Sequence, residues 1–282
     1  MTKVPKAKLF LPLALCAVLL TRCSCDFFGT TGALLISEED EKQLGLEFDT
    51  QLRDSTAAYP VYNPGTDPDK LLFKQYVTDL AQEILAKIPA SGKPGYKFTF
   101  TIIDKDVENA FAVPGGYVYI YTGIIKKMKN EAELAGVLGH EIAHVTRHHY
   151  RDAMAKQTGL SLLLQALLGD NSSQIAQLVA GSFSTLAGLQ VSQGNESEAD
   201  FYGTKYIAAV NRNPLGIATF FSRFKNEGSA LTWFSTHPAS STRVEDVTEE
   251  VNGSAGLKAL AADSTLNFQS RFEANTKAVP KN

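Results

Sequence analysis

His140-Glu141-Ile142-Ala143-His144, set in the apolar run from Leu134 to Val145, is the stretch on which the reading turns. An α-helix advances about 100° per residue, so side chains four apart differ by about 40° and stand one turn above each other. Both imidazoles can therefore reach one divalent metal, while Glu141 points near the same spot without being obliged to bind it. Two neutral nitrogen ligands and a carboxylate free to take a proton from the attacking water are what metal-dependent peptide hydrolysis requires.

The flanks support a helix. Asn130, with Glu133 three residues later, caps its start. Leu134, Val137, Leu138, Ile142 and Val145 form the stripe expected to be buried, with His140 and His144 mostly off it, so the helix docks by one side and presents ligands from another. Gly136 and Gly139 leave little bulk beside the histidines.

Zinc wants a third protein ligand and an open position. His148 is another four-residue step along, but eight residues of helix put its backbone about 12 Å from that of His140, too far for one tetrahedral ion. The longer metzincin pattern would need glycine and histidine where Arg147 and Tyr150 stand. His148 and His149 instead read as cations favoured at a helix C-terminus. The third ligand is then sought on another helix, in Glu196-Ser197-Glu198-Ala199-Asp200. Glu196 and Asp200 share a face and Glu198 points away. One of that pair can bind metal while the other accepts a hydrogen bond from a ligand imidazole.

With Asn109-Ala110 and Pro114-Gly115-Gly116 upstream and His237-Pro238 downstream, these motifs resemble the HtpX-type and CAAX-prenyl-protease-1-type zinc peptidases over about residues 37–251. The soluble, exported and lipoprotein members look most similar in kind. The resemblance implies one zinc ion held by His140, His144 and Glu196, Glu141 as general base, and Asp200 orienting a ligand ring. It also implies that His237 and Arg243 stand near the active site, where such a pair stabilises the oxyanion or a histidine caps the metal at rest. Gly194-Asn195 departs from the family, in which an arginine is common just before the ligand glutamate.

Around this centre the expected organisation is α+β and mostly helical, a gluzincin metallopeptidase domain (37–252) whose small β-sheet packs on the motif helix. Helices are expected at about 37–56, 69–88, 151–168, 173–190, 195–211, 214–226 and 241–251, with strands at 97–103, 110–113 and 117–121. Asn109, Ala110, Phe111 and Ala112 are candidates for pairing with an extended substrate backbone; the Phe111–Val113 segment reads equally well as an ordinary core strand. Residues 253–282 read as a weakly patterned extension, partly disordered, with the last ten frayed.

Composition bounds the rest. The 282 residues are 44% hydrophobic and 20% charged with net charge −3, so no basic surface points to nucleic acid. Lys3, Lys6 and Lys8 precede the apolar run Leu9–Leu20, which reads as an export signal (1–25), too short for an ordinary membrane span. The three cysteines, Cys16, Cys23 and Cys25, all fall there, so the body has no disulfide framework. Although Arg22 fits the pattern poorly, the preferred reading is acylation at Cys23 or Cys25, which would anchor the chain to a membrane as a lipoprotein; simple secretion and an uncleaved anchor are the other readings. The preferred function is a periplasmic zinc endopeptidase acting on extended or misfolded envelope proteins. The alternative is a latent or chaperone-like binding module with zinc capped by His237.

Overall fold

The computed structural model describes residues 36–153, 191–224, 232–237 and 242–279. Helix α1 (Glu38–Asp54) opens with a capping box: Asp40 N–H donates to Ser37 Oγ, and Ser37 N–H donates to the Asp40 carboxylate. Helix α2 (Pro68–Ala86) starts on a proline that has no N–H to satisfy, with Asp67 as its cap, and stops short of Pro89. Strands β1 (Thr99–Ile103), β2 (Ala110–Val113) and β3 (Tyr117–Tyr121) form one sheet in the order β1-β3-β2. The β2–β3 pair is antiparallel about Pro114-Gly115-Gly116, and β1 lies parallel to β3.

The turn is glycine for a reason. Gly115 and Gly116 have φ of +82° and +89°, and a Cβ on Gly115 would stand 2.7 Å from the Glu41 carbonyl oxygen. Helix α1 therefore lies directly over the turn. On that side of the sheet Phe111 stacks on Tyr119 at 4.8 Å, and Phe48 of α1 closes over both. Strand alternation puts Ala110, Ala112, Val118 and Ile120, all buried, on the other side. A short helix, α3 (Thr122–Lys126), which the sequence pattern did not announce, leads from β3 toward the motif helix.

Helix α4 (Glu131–Thr146) carries His140, Glu141 and His144, with Asn130 capping it as expected. It packs against β2, which places the sheet on the motif helix. It is not exposed on a ligand-bearing side: every residue from Glu131 to Thr146 is buried. The reason is the small residues between the apolar ones. Helix α5 (Gln193–Ala208) crosses α4 so closely that a Cβ on Gly203 would stand 3.0 Å from His140 N, and one on Gly139 would stand 3.1 Å from Gly203 O. Helix α6 (Gly216–Phe224) does the same at Gly136, where a Cβ would meet Ile217 N at 2.5 Å. Backbone meets backbone on both flanks, closing the sides that the apolar stripe leaves open.

Helix α7 (Trp233–Thr236) brings Trp233 against His140, and α8 (Arg243–Gly253) packs on α5 and α6. After Gly253, where the patterning weakens, the chain still forms α9 (Ala255–Ala262) and α10 (Gln269–Asn275). Phe272, Thr276 and Val279 are buried, so the frayed tail expected over the last ten residues does not describe the chain through 279; three side chains anchor it. Arg271 of α10 reaches Glu131 in the first turn of α4 at 3.0 Å, beside Arg212 at 2.7 Å and Tyr76 at 2.9 Å. The export signal with Cys16, Cys23 and Cys25, and the helices expected at 154–168 and 173–190, lie outside the described residues. Among the described residues no helix is long and apolar enough to cross a membrane.

Replacing Gly203 with alanine should push α5 off α4. Overpacking of this kind costs about 1–3 kcal/mol. A lower thermal midpoint together with weakened zinc binding is the expected outcome; an unchanged protein would mean the crossing tolerates a methyl group.

Candidate active site

Four buried side chains from three places in the chain converge. His140 and His144 come from α4, Glu196 from the first turn of α5, and His237 from the residue that ends α7. One ligand atom from each lies within 4.8 Å of all the others. His140 Nε2 is 2.9 Å from His144 Nε2, 3.3 Å from His237 Nδ1 and 3.5 Å from Glu196 Oε2. Glu196 Oε1 is 3.4 Å from His144 Nε2 and 3.1 Å from His237 Nδ1.

Those separations suit zinc. Ligands about 2.0–2.1 Å from a tetrahedral ion are roughly 3.3 Å from one another, the middle of the observed range. Hydrogen bonding alone satisfies the group poorly: Glu196 Oε2 is buried and, among the described residues, has an ion pair with Arg243 but no hydrogen bond. Buried polar atoms are rarely left so, and a cation is the partner that lone pairs aimed at one point call for.

The surroundings fix each ligand. His140 Nδ1 is 2.9 Å from Asp200 Oδ1, one turn beyond Glu196 on α5, which turns Nε2 toward the metal position. Arg243, at the start of α8, donates from Nε and Nη2 to Asp200 at 2.7 and 2.8 Å, and its Nη1 stands 2.8 Å from Glu196 Oε2. Arg243 thus clamps the two carboxylates of α5 from behind. Where the family arginine would stand, Asn195 closes the start of α5 instead, its N–H donating to Ser192 Oγ at 3.2 Å.

Electrostatics follow from burial and pairing. Burial alone would raise the Glu196 carboxyl, but His237, His140 and His144 outweigh it and hold it well below the usual carboxylate range. Burial raises Asp200 as well, and Arg243 with His140 brings it below its ordinary value. His144 is lowered by burial and by the neighbouring His140, which leaves a neutral ring. His140 goes the other way: burial disfavours its charge, yet Asp200 and Glu196 raise it to about 9.

Glu141 faces the group from the same helix. The indole N–H of Trp233 donates to Glu141 Oε1 at 3.1 Å, and His237 Nε2 lies 3.3 Å from that oxygen. Trp233 is the chain's single tryptophan and is fully buried, with its backbone N–H donating to the Glu108 carbonyl at 2.8 Å. Its signal in the sequence is being a lone tryptophan four residues before His237. Tyr150 was missed as a neighbour of the site. Its ring is 5.5 Å from that of His144, and burial, with Glu141 and Glu196, raises its phenol so that the hydroxyl stays protonated.

Two expectations about histidines need correction. His149 is not a cation at a helix end. It is buried with Nδ1 3.0 Å from His144 Nδ1, and burial lowers it to about 4, against the opposing pull of Glu198. His148 has left the helix altogether, with φ +56° and Nδ1 2.9 Å from Glu41 of α1. Glu198 points away from the metal group, as expected, and pairs with Arg147 at 2.7 Å. Of the strand candidates, Ala110, Phe111 and Ala112 lie in β2, which among the described residues has β3 on one side only. The Phe111 side chain belongs to the core, and Asn109 Oδ1 accepts from Thr236 Oγ1 at 3.4 Å, just before His237.

Residues 74–251, more than half of the chain, match the family model for peptidase family M48. The chain belongs to that family. Its M48 membership carries the zinc requirement that the four-donor group meets. The chain is 30% identical over 239 residues to the beta-barrel assembly-enhancing protease of Yersinia pestis, covering 79% of this chain and 46% of that protein. Mitochondrial metalloendopeptidase OMA1 of Schizosaccharomyces pombe is 31% identical over 196 residues, 67% of this chain and 54% of its own. Metalloprotease LoiP of Escherichia coli K12 is 32% identical over 169 residues, 55% and 62%. The chain spans about half the length of the first two relatives.

Zinc uptake by His140 must expel the proton that the metal-free ring holds up to about pH 9. Apparent zinc affinity should therefore fall about tenfold for each pH unit below that value. The metal-free fold responds with the opposite sign. The charged ring contributes its full stabilisation below the ordinary value of 6.5, and that contribution is lost as pH rises through about 9. Chelator competition and metal-free unfolding, each followed across pH, check the two slopes.

Proposed function

We propose that this chain is a zinc-dependent endopeptidase of the bacterial cell envelope that hydrolyses peptide bonds in extended or misfolded proteins. The observation that carries the reading is Glu141, a buried carboxylate one residue from a ligand histidine, with Oε2 unpartnered and no place in the metal group. A purely structural zinc site has no use for such a group. His140, His144 and Glu196 would hold the ion, and when bound it supplies Lewis acidity to the scissile carbonyl and to water. Glu141 takes the proton of the attacking water and passes it to the leaving amine. Trp233 holds one Glu141 oxygen and leaves the other free for that proton. Of the two groups expected to meet the developing oxyanion, Arg243 is engaged by Asp200 and Glu196, whereas His237 adjoins Glu141.

An extended substrate fits the edge of β2. The outward-facing backbone groups of Ala110 and the Ala112 carbonyl can pair with an added strand, while the Ala112 amide faces the Tyr150 hydroxyl, and Asn109 and Phe111 bond inward to β3. The names of the relatives support a protease; envelope location rests on the export signal at residues 1–25. Acylation at Cys23 or Cys25 would tie the chain to a membrane, and intact-mass analysis of the mature protein decides it.

A second reading is favoured by His237. With its Nδ1 among the donors, the metal group has four protein ligands, which suits a latent resting state or a chaperone-like module that binds clients without cutting them. Glu141→Gln should retain zinc and lose about 10²–10⁴-fold in casein cleavage; undiminished cleavage would reject the base. His237→Ala should keep zinc on the three remaining ligands and raise basal cleavage if the resting site is closed. A wild type and a His237→Ala variant that both bind unfolded protein without turnover would favour the non-proteolytic module.

A further inference from the structure

His140 is oriented by an acid and an arginine; a matching support stands behind His144. The His144 ring faces the metal group with Nε2, and its Nδ1 lies 3.0 Å from His149 Nδ1. On the far side of His149, Nε2 is 3.3 Å from Glu198 Oε2, and Arg147 Nε donates to Glu198 Oε1 at 2.7 Å. The Arg147 guanidinium also lies over the Tyr202 ring at 4.5 Å. Away from the metal position, a nitrogen–nitrogen contact of this length needs one donor and one acceptor. An imidazole that gives Nε2 to a metal carries its hydrogen on Nδ1, so His144 is the donor and His149 the acceptor. His149 then carries its own hydrogen on Nε2, facing Glu198, and the chain of bonds closes with each atom in a consistent role.

The backbone is shaped for this contact. In an unbroken helix, His149 would sit five residues beyond His144 and about 140° around the axis, pointing elsewhere. Helix α4 ends at Thr146, and His148 takes a left-handed φ of +56°, secured by Glu41. A non-glycine residue in that region is uncommon, and here it swings the next residue back against the helix it has just left.

We infer that His149 is a positioning residue of the metal centre, fixing the tautomer and ring direction of His144 through a relay to Glu198 and Arg147. The inference rests on the reading of His140, His144 and Glu196 as zinc ligands. Helix α5 would then supply a ligand, Glu196, and an outer support for each histidine: Asp200 directly for His140, and Glu198 through His149 for His144.

The test is metal binding by the full chain. Zinc affinity is measured by competition with a chromogenic chelator, and the cobalt(II)-substituted protein gives the absorption of the site. His149→Leu should weaken zinc affinity about 10–100-fold and shift the cobalt ligand-field band. His149→Gln, which can still present an acceptor oxygen, should recover most of both. Glu198→Ala, at a half-exposed position, should lower affinity several-fold, and Glu198→Gln less. A structural role alone would lower the metal-free unfolding midpoint without rescue by glutamine. Wild-type affinity and spectrum in His149→Leu, or equal losses in the leucine and glutamine variants, would overturn the inference. If the leucine variant does not fold, unchanged affinity in Glu198→Ala overturns it. A wild type that binds no zinc would instead sink the metal-site reading beneath it.

Discussion

The close crossing of α4 and α5 is the constraint from which the rest of the site follows. Gly139 and Gly203 let two backbones approach until the carboxylates of one helix stand beside the histidines of the other. A methyl group there would crowd main chain at 3.0–3.1 Å, so the spacing of the metal group is set by main chain rather than by flexible side chains. That matters energetically. Glu196, Asp200, Arg243 and three histidines are buried together, and such groups tolerate burial only when their partners are held in place.

The protein meets that demand in layers. An inner ring of His140, His144, Glu196 and His237 directs lone pairs at one point. Behind it Asp200 and Arg243 balance charge, and Trp233 holds Glu141 to one side. Farther out, α10, Arg212 and Tyr76 converge on Glu131 at the opposite end of α4. Both ends of the motif helix are thus anchored, and its middle is locked against α5 and α6.

Much of this was legible in the sequence, for physical reasons. A four-residue histidine spacing and a glutamate–aspartate pair of the same spacing mean one face each, whatever the tertiary setting. The capping box at Ser37, the cap at Asn130 and the Pro-Gly-Gly turn are local signals, and the structure keeps them. What could not be read was long-range or depended on a break in local order. The parallel pairing of β1 with β3 is invisible to alternation. The burial of α4 on all sides depends on glycines whose partners lie in two other helices. The place of His149 is hidden because the helical pattern runs on past Thr146, whereas one left-handed residue, His148, redirects the side chain that follows. Arg243 carries no local signal: the family resemblance puts it near the site, and only the fold brings it to Asp200.

The family match ends at residue 251, but the hydrophobic and ionic contacts do not. Phe272 fills space in the same core as α2, and Arg271 reaches the glutamate at the head of the motif helix. A protein trimmed to the matched boundary would leave Glu131 short of one cation and open a hole where a full aromatic ring had been. The segment that the family model delimits is therefore narrower than the segment that packs as a unit, and the motif helix rests partly on residues outside it.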